Sequence, residues 1–567
     1  MSSLVTHSDD GQDCYNLGSF QRKVTTCSAE AQVWFNRGLT WSYGFNHEES
    51  AACFERAIKL DRDCGMAYWG LAYALGPNYN KPWDAFDEDD RASTATRAHR
   101  SIARAARAVE ASSPIEAALI KALSFRYPPD PQESRWNVWN RDYAEAMATV
   151  YAEHGSDLDV AALYADSLMN LTPWKLWDVR TGKPAKGAST ILIKQVLERA
   201  MSAAGGNRHP GVLHLYIHLM EMGNPEEALV AADNLRDLVP DAGHLQHMPT
   251  HIDVLCGHFQ RAIDSNSDAI RADEKFLARS GPMNFYTLYR LHDFHFRLYA
   301  AMFAGQKQVA LDTVGQMEAS LSADLLRVRS PPMADWLEGF LSMRVHVLVR
   351  FGMWEELINL ELPADPQLYC VTTAMLHYGK CIAYAATGQI ASAEEQTALF
   401  RERKDAVPPS RTLFNNTCCD ILRIAASMVA GETAYRKGDV EAGFAHLRTA
   451  VTLDDALPYE EPWGWMQPVR HALGALLLEQ GRLAEALDTY AADLGISDEL
   501  PRALRHPNNV WALHGYHEAL YRLGHSEKAH DVGRKLRSAM NGTDVPITTS
   551  CLCRRMLVSP VDPKAQA

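Results

Sequence analysis

The stretch WFNRGLTWSYGFNHEESAACFERAI, residues 34–58, decides the fold of this chain. Large apolar residues recur at helical spacing before and after a break at Gly44. This pattern predicts two helices joined by a tight turn. Gly38 has no side chain, so the second helix can pack closely on the first, and we expect Phe54 and Ala57 to fill the seam between them.

Turn glycines recur along the rest of the chain, each between two segments of helical periodicity. They are Gly223, Gly257, Gly305, Gly352, Gly388, Gly438, Gly481 and Gly524. The first two are 34 residues apart, which is the period of the tetratricopeptide repeat, and the later spacings are 36–50 residues. Strand patterns are nearly absent. We therefore expect an all-α, tetratricopeptide-like solenoid over 29–540 with irregular inserted loops, a flexible arm at 1–28 and a flexible tail at 541–567.

Composition excludes several classes of function. The 567 residues carry 56 Lys and Arg against 70 Asp and Glu, a net charge of −14, so we expect no nucleic-acid binding. No apolar run reaches the roughly 18 residues of a membrane span. The first residues do not form a secretory signal, and the eleven cysteines show no zinc-type pairing, so we expect reduced thiols and a cytoplasmic location. Cys551 and Cys553 give a weak metal or redox signal.

Histidines are concentrated in one part of the chain: nine of the 22 lie between His209 and His295. Three successive first helices of the predicted repeats carry them, at positions that line the concave groove of a tetratricopeptide array or one step away. The i,i+4 pairs among them share a helical face, and the two pairs are 33 residues apart, about one repeat. These pairs are His214 with His218, and His247 with His251.

This arrangement predicts a site for one or two metal ions on the concave surface. Imidazole favours copper, zinc, iron or nickel over magnesium or calcium. Glu221 follows His218 on the same face, so we expect it to be a ligand or to orient an imidazole. A groove that binds a polar ligand and a structural hydrogen-bond network are the alternatives. The candidate ligands are His47, His214, His218, His244, His247, His251, His292 and His295, with Glu221 as a possible further ligand.

Several of these segments resemble a family of large bacterial and fungal tetratricopeptide-repeat proteins. The most specific is HLQHMPTHI, residues 244–252, and others are YGFNHEES at 43–50, HPGVLHLYIHLMEM at 209–222 and PYEEPWGWMQPVRH at 458–471. The resemblance spans about 30–520 and implies that the eight candidate histidines are characteristic of the family. The longer segment at 493–508 and the cysteine-containing tail depart from the plainer bacterial pattern and suit a fungal tailoring protein of secondary metabolism.

Two classes of function follow. The first is a metal-dependent oxidative enzyme that activates O₂ at a His-ligated, possibly dicopper site and binds a small organic substrate in the groove. Zinc or iron are the alternative metals, and Asp253 or Asp293 could then add a carboxylate ligand. The second is a non-catalytic scaffold that binds a protein or peptide, and a metal store or sensor is a third possibility. The aromatic residues proposed to hold the substrate are Trp83, Trp174, Tyr216, Phe294, Tyr299, Trp463 and Trp465.

Overall fold

A computed structural model of the chain describes residues 15–128 and 135–555. Helices dominate these ranges. The helices of the first half are α1 (Ala29–Tyr43), α2 (His47–Leu60), α3 (Gly65–Leu75), α4 (Glu88–Arg107), α5 (Pro114–Ser124), α6 (Trp136–His154), α7 (Leu158–Met169), α8 (Thr190–Ser202), α9 (Pro210–Met220), α10 (Leu229–Leu235), α11 (Gly243–His247), α12 (Pro249–Leu255), α13 (Phe259–Ser280) and α14 (Thr287–Phe303).

The second half continues in the same way. Its helices are α15 (Lys307–Ala319), α16 (Ala323–Leu326), α17 (Met333–Leu337), α18 (Met343–Arg350), α19 (Trp354–Asn359), α20 (Cys370–Thr387), α21 (Ile390–Asp405), α22 (Cys418–Arg436), α23 (Val440–Asp455), α24 (Val469–Glu479), α25 (Leu483–Asp493), α26 (Val510–Arg522) and α27 (Ser526–Met540). In the described ranges the strands form two short antiparallel hairpins: β1 (Trp177–Asp178) with β2 (Lys183–Pro184), and β3 (Thr412–Leu413) with β4 (Asn416–Thr417).

The all-α solenoid predicted from the sequence is confirmed. Consecutive helices pack on one another as hairpins, α1 on α2 among them. A Cβ added to Gly38 would lie only 2.8 Å from the ring of Phe54, so the close approach of the first hairpin requires glycine. Seven of the eight predicted turn glycines, all but Gly223, have φ between 63° and 94°, which side-chain-bearing residues rarely adopt.

The apolar interior consists of two cores that meet at α12 and α14. One contains residues from Tyr15 to Tyr289 together with Tyr459 and Ala503, and the other runs from Val254 to Cys553. Ile252 on α12 belongs to the first core, whereas Val254 on the same helix belongs to the second. The predicted histidine site therefore lies at the junction of two cores, a common location for ligand sites.

Both predicted flexible ends lie against the solenoid where the structure describes them. In the arm, Arg22 pairs with Asp157 and Asp159 at 2.8 and 2.7 Å, and residues 1–14 lie outside the described residues. In the tail, Asp544 accepts hydrogen bonds from the backbone N–H groups of Lys307 and Gln308, the first two residues of α15. Ile547 is buried. Residues 556–567 lie outside the described residues. These contacts join segments far apart in sequence, so composition alone did not indicate them.

The cysteines differ in one respect from the sequence expectation. Eight of those described are free thiols, whereas Cys551 and Cys553 form a disulfide. Over residues 15–128 and 135–555, no helix combines the length and the apolar character that crossing a membrane requires.

Candidate metal centre

Three regions of helix position the histidines. On α9, His209 caps the helix by accepting the N–H of Val212, and Pro210 occupies the first helical position. The next predicted helix is divided into α11 and α12, because Pro249 has no N–H to continue the ladder. α14 is one continuous helix over Thr287–Phe303 and carries the third group of histidines.

Six of the eight predicted histidines come together with Glu221. Their side-chain nitrogens and the carboxylate form three groups whose atoms lie within 4.8 Å of one another. We call these seven residues the histidine cluster. The groups are His214, His218 and His244; His247, His251 and His292; and His218, Glu221 and His251. The last group joins the other two, and every member is buried, with His292 the most exposed at 7%.

The Nε2 atoms face one another in this cluster. Nε2 of His247 lies 2.8 Å from Nε2 of His251, and Nε2 of His214 lies 3.2 Å from Nε2 of His244. Nitrogen ligands about 2.0–2.1 Å from a tetrahedral metal lie about 3.3 Å apart, so small adjustments would let each pair hold one ion.

The Nδ1 atoms of four rings are held by groups outside the histidines. His214 Nδ1 lies 2.6 Å from the carbonyl oxygen of Tyr43, and His247 Nδ1 lies 2.7 Å from Asn266 Oδ1. Glu221 faces Nδ1 of both His218 and His251, at 3.2 and 2.8 Å. Metal-ligating histidines generally donate their second ring N–H to such acceptors, which fixes the tautomer.

Hydrogen bonds decide which nitrogen of His247 carries the proton. Asn266 Nδ2 donates to the carbonyl of Ala262, which turns the amide oxygen toward His247. His247 therefore carries its proton on Nδ1, and its Nε2 presents a lone pair to Nε2 of His251 at 2.8 Å. His251 Nδ1 in turn meets Glu221 at 2.8 Å. When His251 donates this N–H to an ionised Glu221, both Nε2 lone pairs face each other, which is an arrangement that can share a cation.

Burial keeps the imidazoles neutral. Loss of solvent lowers the pKa of His214, His218, His244, His247 and His292 well below the ordinary 6.5, and neighbouring imidazoles lower it further. Neutral imidazole is the form that binds metal.

A second carboxyl group, which the sequence analysis did not single out, completes the surroundings of His251. Glu461 Oε2 lies 2.7 Å from His251 Nδ1, and Tyr459 donates its hydroxyl to the other oxygen of Glu461. Burial raises the pKa of Glu461 well above its ordinary value, and Glu221 adds to the effect. The segment PYEEPWGWMQPVRH that contains Glu461 was a possible signal, but its spacing does not indicate which helix it meets.

Two predicted ligands lie outside the cluster. His47 lies against the rings of Phe45 and Tyr73, at centroid distances of 6.3 and 6.2 Å. His295 Nε2 lies 2.9 Å from the sulfur of Met466, because it projects from α14 toward the second core. Neither belongs to a group that could hold an ion among the described residues.

The two aspartates considered as extra ligands also lie outside those groups. Asp253 is paired with Arg236 and Arg261, at 3.0 and 3.2 Å. Asp293 Oδ1 lies 3.4 Å from His247 Nδ1. Burial raises the pKa of Asp293 well above its ordinary value, and the adjacent Asp273 raises it further.

Three aromatic residues with left-handed backbone surround the cluster. Phe45, Trp174 and Phe414 have φ of 54°, 58° and 51°. Phe45 covers His214 at a centroid distance of 4.4 Å, and Phe414 meets His292 at 4.8 Å. Such backbone costs about 1–3 kcal/mol per residue and is concentrated at functional sites. Sequence analysis proposed Trp174 but missed Phe45 and Phe414, because positive φ at an aromatic residue leaves no pattern in the sequence.

A chamber of about 320 Å³ lies beside the cluster, and His292 and Glu460 form part of its wall. Of the seven aromatic residues proposed to hold a substrate, Trp174 lines this chamber and the other six do not. Trp83, for example, stacks on Trp136, and Trp463 stacks on Tyr299. The chamber is lined instead by aromatic residues of the inserted loops and of α14, because the seams between helices are filled by the repeats themselves.

Comparison with known proteins concerns mainly the fold. Residues 31–64 match the family model of the tetratricopeptide repeat. No curated protein matches the chain in sequence. Among solved structures, yeast Tom70 is 11% identical, with 90% of this chain and 91% of that chain covered and a TM-score of 0.29.

Two further structures show similarly distant likenesses. A chain of the APC/C hetero-tetramer Cut9–Hcn1 is 13% identical, with coverage of 83% and 74% and a TM-score of 0.29. A chain of Naa15/Naa10 bound to HypK-THB is 12% identical, with coverage of 90% and 70% and a TM-score of 0.22. At these scores the likenesses carry no argument about function. The chain contains a tetratricopeptide repeat, and the repeat lies in the same helical hairpin that residues 34–58 predict.

Proposed function

We propose that this solenoid is a metalloprotein whose histidine cluster binds one or two transition-metal ions, with copper favoured and zinc or iron as alternatives. The observation that carries the proposal is the close approach of Nε2 of His247 to Nε2 of His251, at 2.8 Å, within a buried group that also contains His292. A nitrogen-rich, buried and neutral ligand set suits copper, zinc or iron better than magnesium or calcium.

The arrangement of the cluster supports a site for two ions. Two groups of three histidines give each ion three nitrogen ligands, and Glu221 lies between the groups. Oxidation of a small organic molecule with O₂ is the reaction class that we propose for a copper-loaded site. The chain's own contribution is to orient the imidazoles through Nδ1, to exclude water by burial and to hold the organic molecule in the adjacent chamber.

The first test is the metal content of the purified, untagged protein after loading with copper, zinc or iron and removal of free metal. We expect one or two ions per chain by plasma mass spectrometry. The double variant His247→Ala/His251→Ala removes two of the three ligands of one group, so it should lose at least half of this metal while its circular dichroism stays helical.

The matched control is His47→Ala/His295→Ala, which removes the half-buried His47 and the buried His295, both outside the cluster. This variant should keep the metal content of the wild type. Wild-type protein that holds no metal after loading would overturn the proposal, and so would equal metal retention in the two double variants.

The tetratricopeptide match favours a second function, that of a non-catalytic scaffold for a protein or peptide partner. Helical repeats form extended concave surfaces that suit such partners, and the match at 31–64 supports this function more directly than it supports the first. The buried histidine cluster would then be a structural network, and the partner would bind elsewhere on the solenoid. Metal content separates the two functions, since the scaffold requires none.

A further inference from the structure

The walls of the chamber beside the histidine cluster come from six separate segments of the chain. The loop at 80–85 forms one side, the start of α14 forms another, and the turn between β3 and β4 contributes Phe414 and Asn415. Trp174 and Trp336 complete the enclosure. A dry cavity of about 150 Å³ is enough to hold benzene, so 320 Å³ has room for one substituted aromatic ring.

Aromatic rings make up much of this lining. They are Trp174, Phe285, Tyr289, Trp336 and Phe414. Phe285 meets Trp336 edge-to-face with centroids 5.7 Å apart. Aromatic rings prefer edge-to-face or offset contacts with other rings, so this lining favours a flat, π-bonded ligand over a saturated one of equal size.

Acids but no bases line the chamber. Asp84 and Glu460 belong to the lining, and no lysine or arginine does so among the residues that the structure describes. Burial raises the pKa of Glu460 to about 8, so at pH 7 Glu460 is mostly protonated and Asp84 is the acid that repels an anion. Lys81 lies close by, 4.6 Å from the ring centroid of Phe285, but its ammonium is paired with Asp90 at 3.0 Å. An anionic ligand would therefore meet Asp84 and no unpaired cation, whereas a neutral or cationic ligand would not be repelled.

Polar groups at the inner wall add hydrogen-bonding capacity. Glu460 accepts the backbone N–H of Asn415 at 2.9 Å and that of Glu461 at 3.1 Å, which fixes its carboxyl group beside the chamber. Asn80, Thr412 and Asn415 supply neutral donors and acceptors in the same lining. These groups suit hydroxyl substituents on a ring.

We propose that the chamber binds a single-ring phenol that is neutral or cationic and excludes its carboxylate analogues. This assignment rests on the proposed function for the reaction that the ring would undergo, because it names the substrate class of that site. Binding itself requires only the chamber, so metal-free protein can be used to test it.

The experiment compares ligands of matched shape by calorimetric titration of metal-free and metal-loaded protein. Tyrosol is neutral, tyramine is its cationic counterpart and 4-hydroxyphenylacetate is its anionic counterpart. We expect tyrosol and tyramine to bind with Kd values within about tenfold of each other, and 4-hydroxyphenylacetate to bind at least tenfold more weakly than tyrosol. The saturated analogue 4-(2-hydroxyethyl)cyclohexanol should also bind at least tenfold more weakly.

Two variants assign the binding to this chamber. Trp336→Ala should weaken tyrosol binding at least fivefold. Phe125 is an exposed aromatic residue outside the lining, so Phe125→Ala should leave tyrosol binding unchanged. Asp84 is an exposed residue of the lining. The variant Asp84→Lys should reduce the difference in Kd between tyrosol and 4-hydroxyphenylacetate.

The outcomes separate this inference from the metal proposal. Tyrosol binding with the expected preferences in protein that takes up no metal would support the chamber and overturn the metal site. Equal binding of the anion, equal binding of the saturated analogue, or no binding of any phenol to metal-loaded protein would overturn the chamber assignment and leave the metal result standing.

Discussion

The histidine cluster and a second buried group further along the chain both combine imidazoles with carboxylates, yet their bonding differs. In the second group, Asp493 accepts from His471 Nε2 and His506 Nδ1, each at 2.9 Å, and from Asn509 Nδ2 at 3.1 Å. Arg350 donates to the remaining nitrogen of His471 at 3.2 Å. Neither histidine faces another across a hydrogen-bond distance.

This difference shows what separates a candidate metal site from a structural network. The carboxylate of Asp493 accepts hydrogen bonds from several donors. Burial alone would raise the pKa of Asp493, but His471 and His506 hold this pKa well below its ordinary value. In the histidine cluster the acids hold the outer nitrogens, and the inner nitrogens face one another. The direction in which imidazole nitrogens point is therefore more informative than how many histidines are buried.

The largest expected effect is the response of the metal-free protein to pH. Five cluster histidines have pKa values well below 6.5 in the folded state, whereas in the unfolded chain they protonate near 6.5. Below pH 6.5 the unfolded state therefore binds more protons at these five sites, and their contribution to the free energy of unfolding falls as pH falls. Each of these histidines contributes a loss of about 1 kcal/mol between pH 6.5 and 5.5, whereas Glu461 and Asp293, whose pKa values burial raises, act with the opposite sign.

Urea denaturation of metal-free protein at pH 7.0, 6.5, 6.0 and 5.5 measures this loss. The variant His346→Gln removes a buried histidine outside the cluster, whose pKa burial lowers to about 3, and should reduce the slope by the share of one residue only. The variant His214→Gln/His244→Gln removes two cluster histidines and should reduce the slope by twice as much as His346→Gln. A reduction no larger than that of His346→Gln would show that the cluster takes up protons while folded, and the contrast between the two groups would fail.

A smaller effect is expected from Asp493→Asn. The substitution removes a buried charge that two histidines and an amide share, and the loss of one partner of a buried network costs about 3–5 kcal/mol. We expect the free energy of unfolding in urea to fall by this amount, with the metal content unchanged.

The matched control for that change is Asp498→Asn. Asp498 is 99% exposed and pairs with Arg505 at 3.2 Å, so its substitution should alter stability by less than about 1 kcal/mol. Loss of metal in Asp493→Asn with its stability preserved would show that the Asp493 group binds metal. The direction of the imidazole nitrogens would then not distinguish a metal site from a structural network.

The smallest effect that we predict is that of Glu221→Gln. The amide keeps the shape of the side chain but can no longer accept equally from His218 and His251, so the imidazoles lose orientation. Loss of such an outer partner typically lowers metal affinity about 10- to 100-fold. A competition titration against a chelator measures this change.

Glu432→Gln is the control for Glu221→Gln. Glu432 is also a buried glutamate, and burial raises its pKa to about 7, but it belongs to none of the groups that could hold an ion. The metal affinity of the Glu432→Gln protein should match that of the wild type. Equal affinities in all three proteins would mean that Glu221 does not orient the imidazoles.

The sequence by itself determined the helical hairpins and the clustering of histidines. Turn glycines and apolar periodicity are local signals, so residues 34–58 predicted α1 and α2, and seven of the eight turn glycines have the positive φ that helix ends require. Because the repeat length places equivalent residues of successive helices side by side, the spacing of His214 and His218 from His247 and His251 was enough to bring these pairs together.

Only the tertiary structure decided which nitrogens face inward and what lies around them. Glu461 reaches His251 from 210 positions away in the chain. His295 faces Met466 although His292 on the same helix joins the cluster, and His47 lies outside it against Phe45. The chamber is built from inserted loops, where no periodicity relates sequence to position. Local patterns fix the element on which a side chain lies, whereas its partners depend on how distant segments pack against that element.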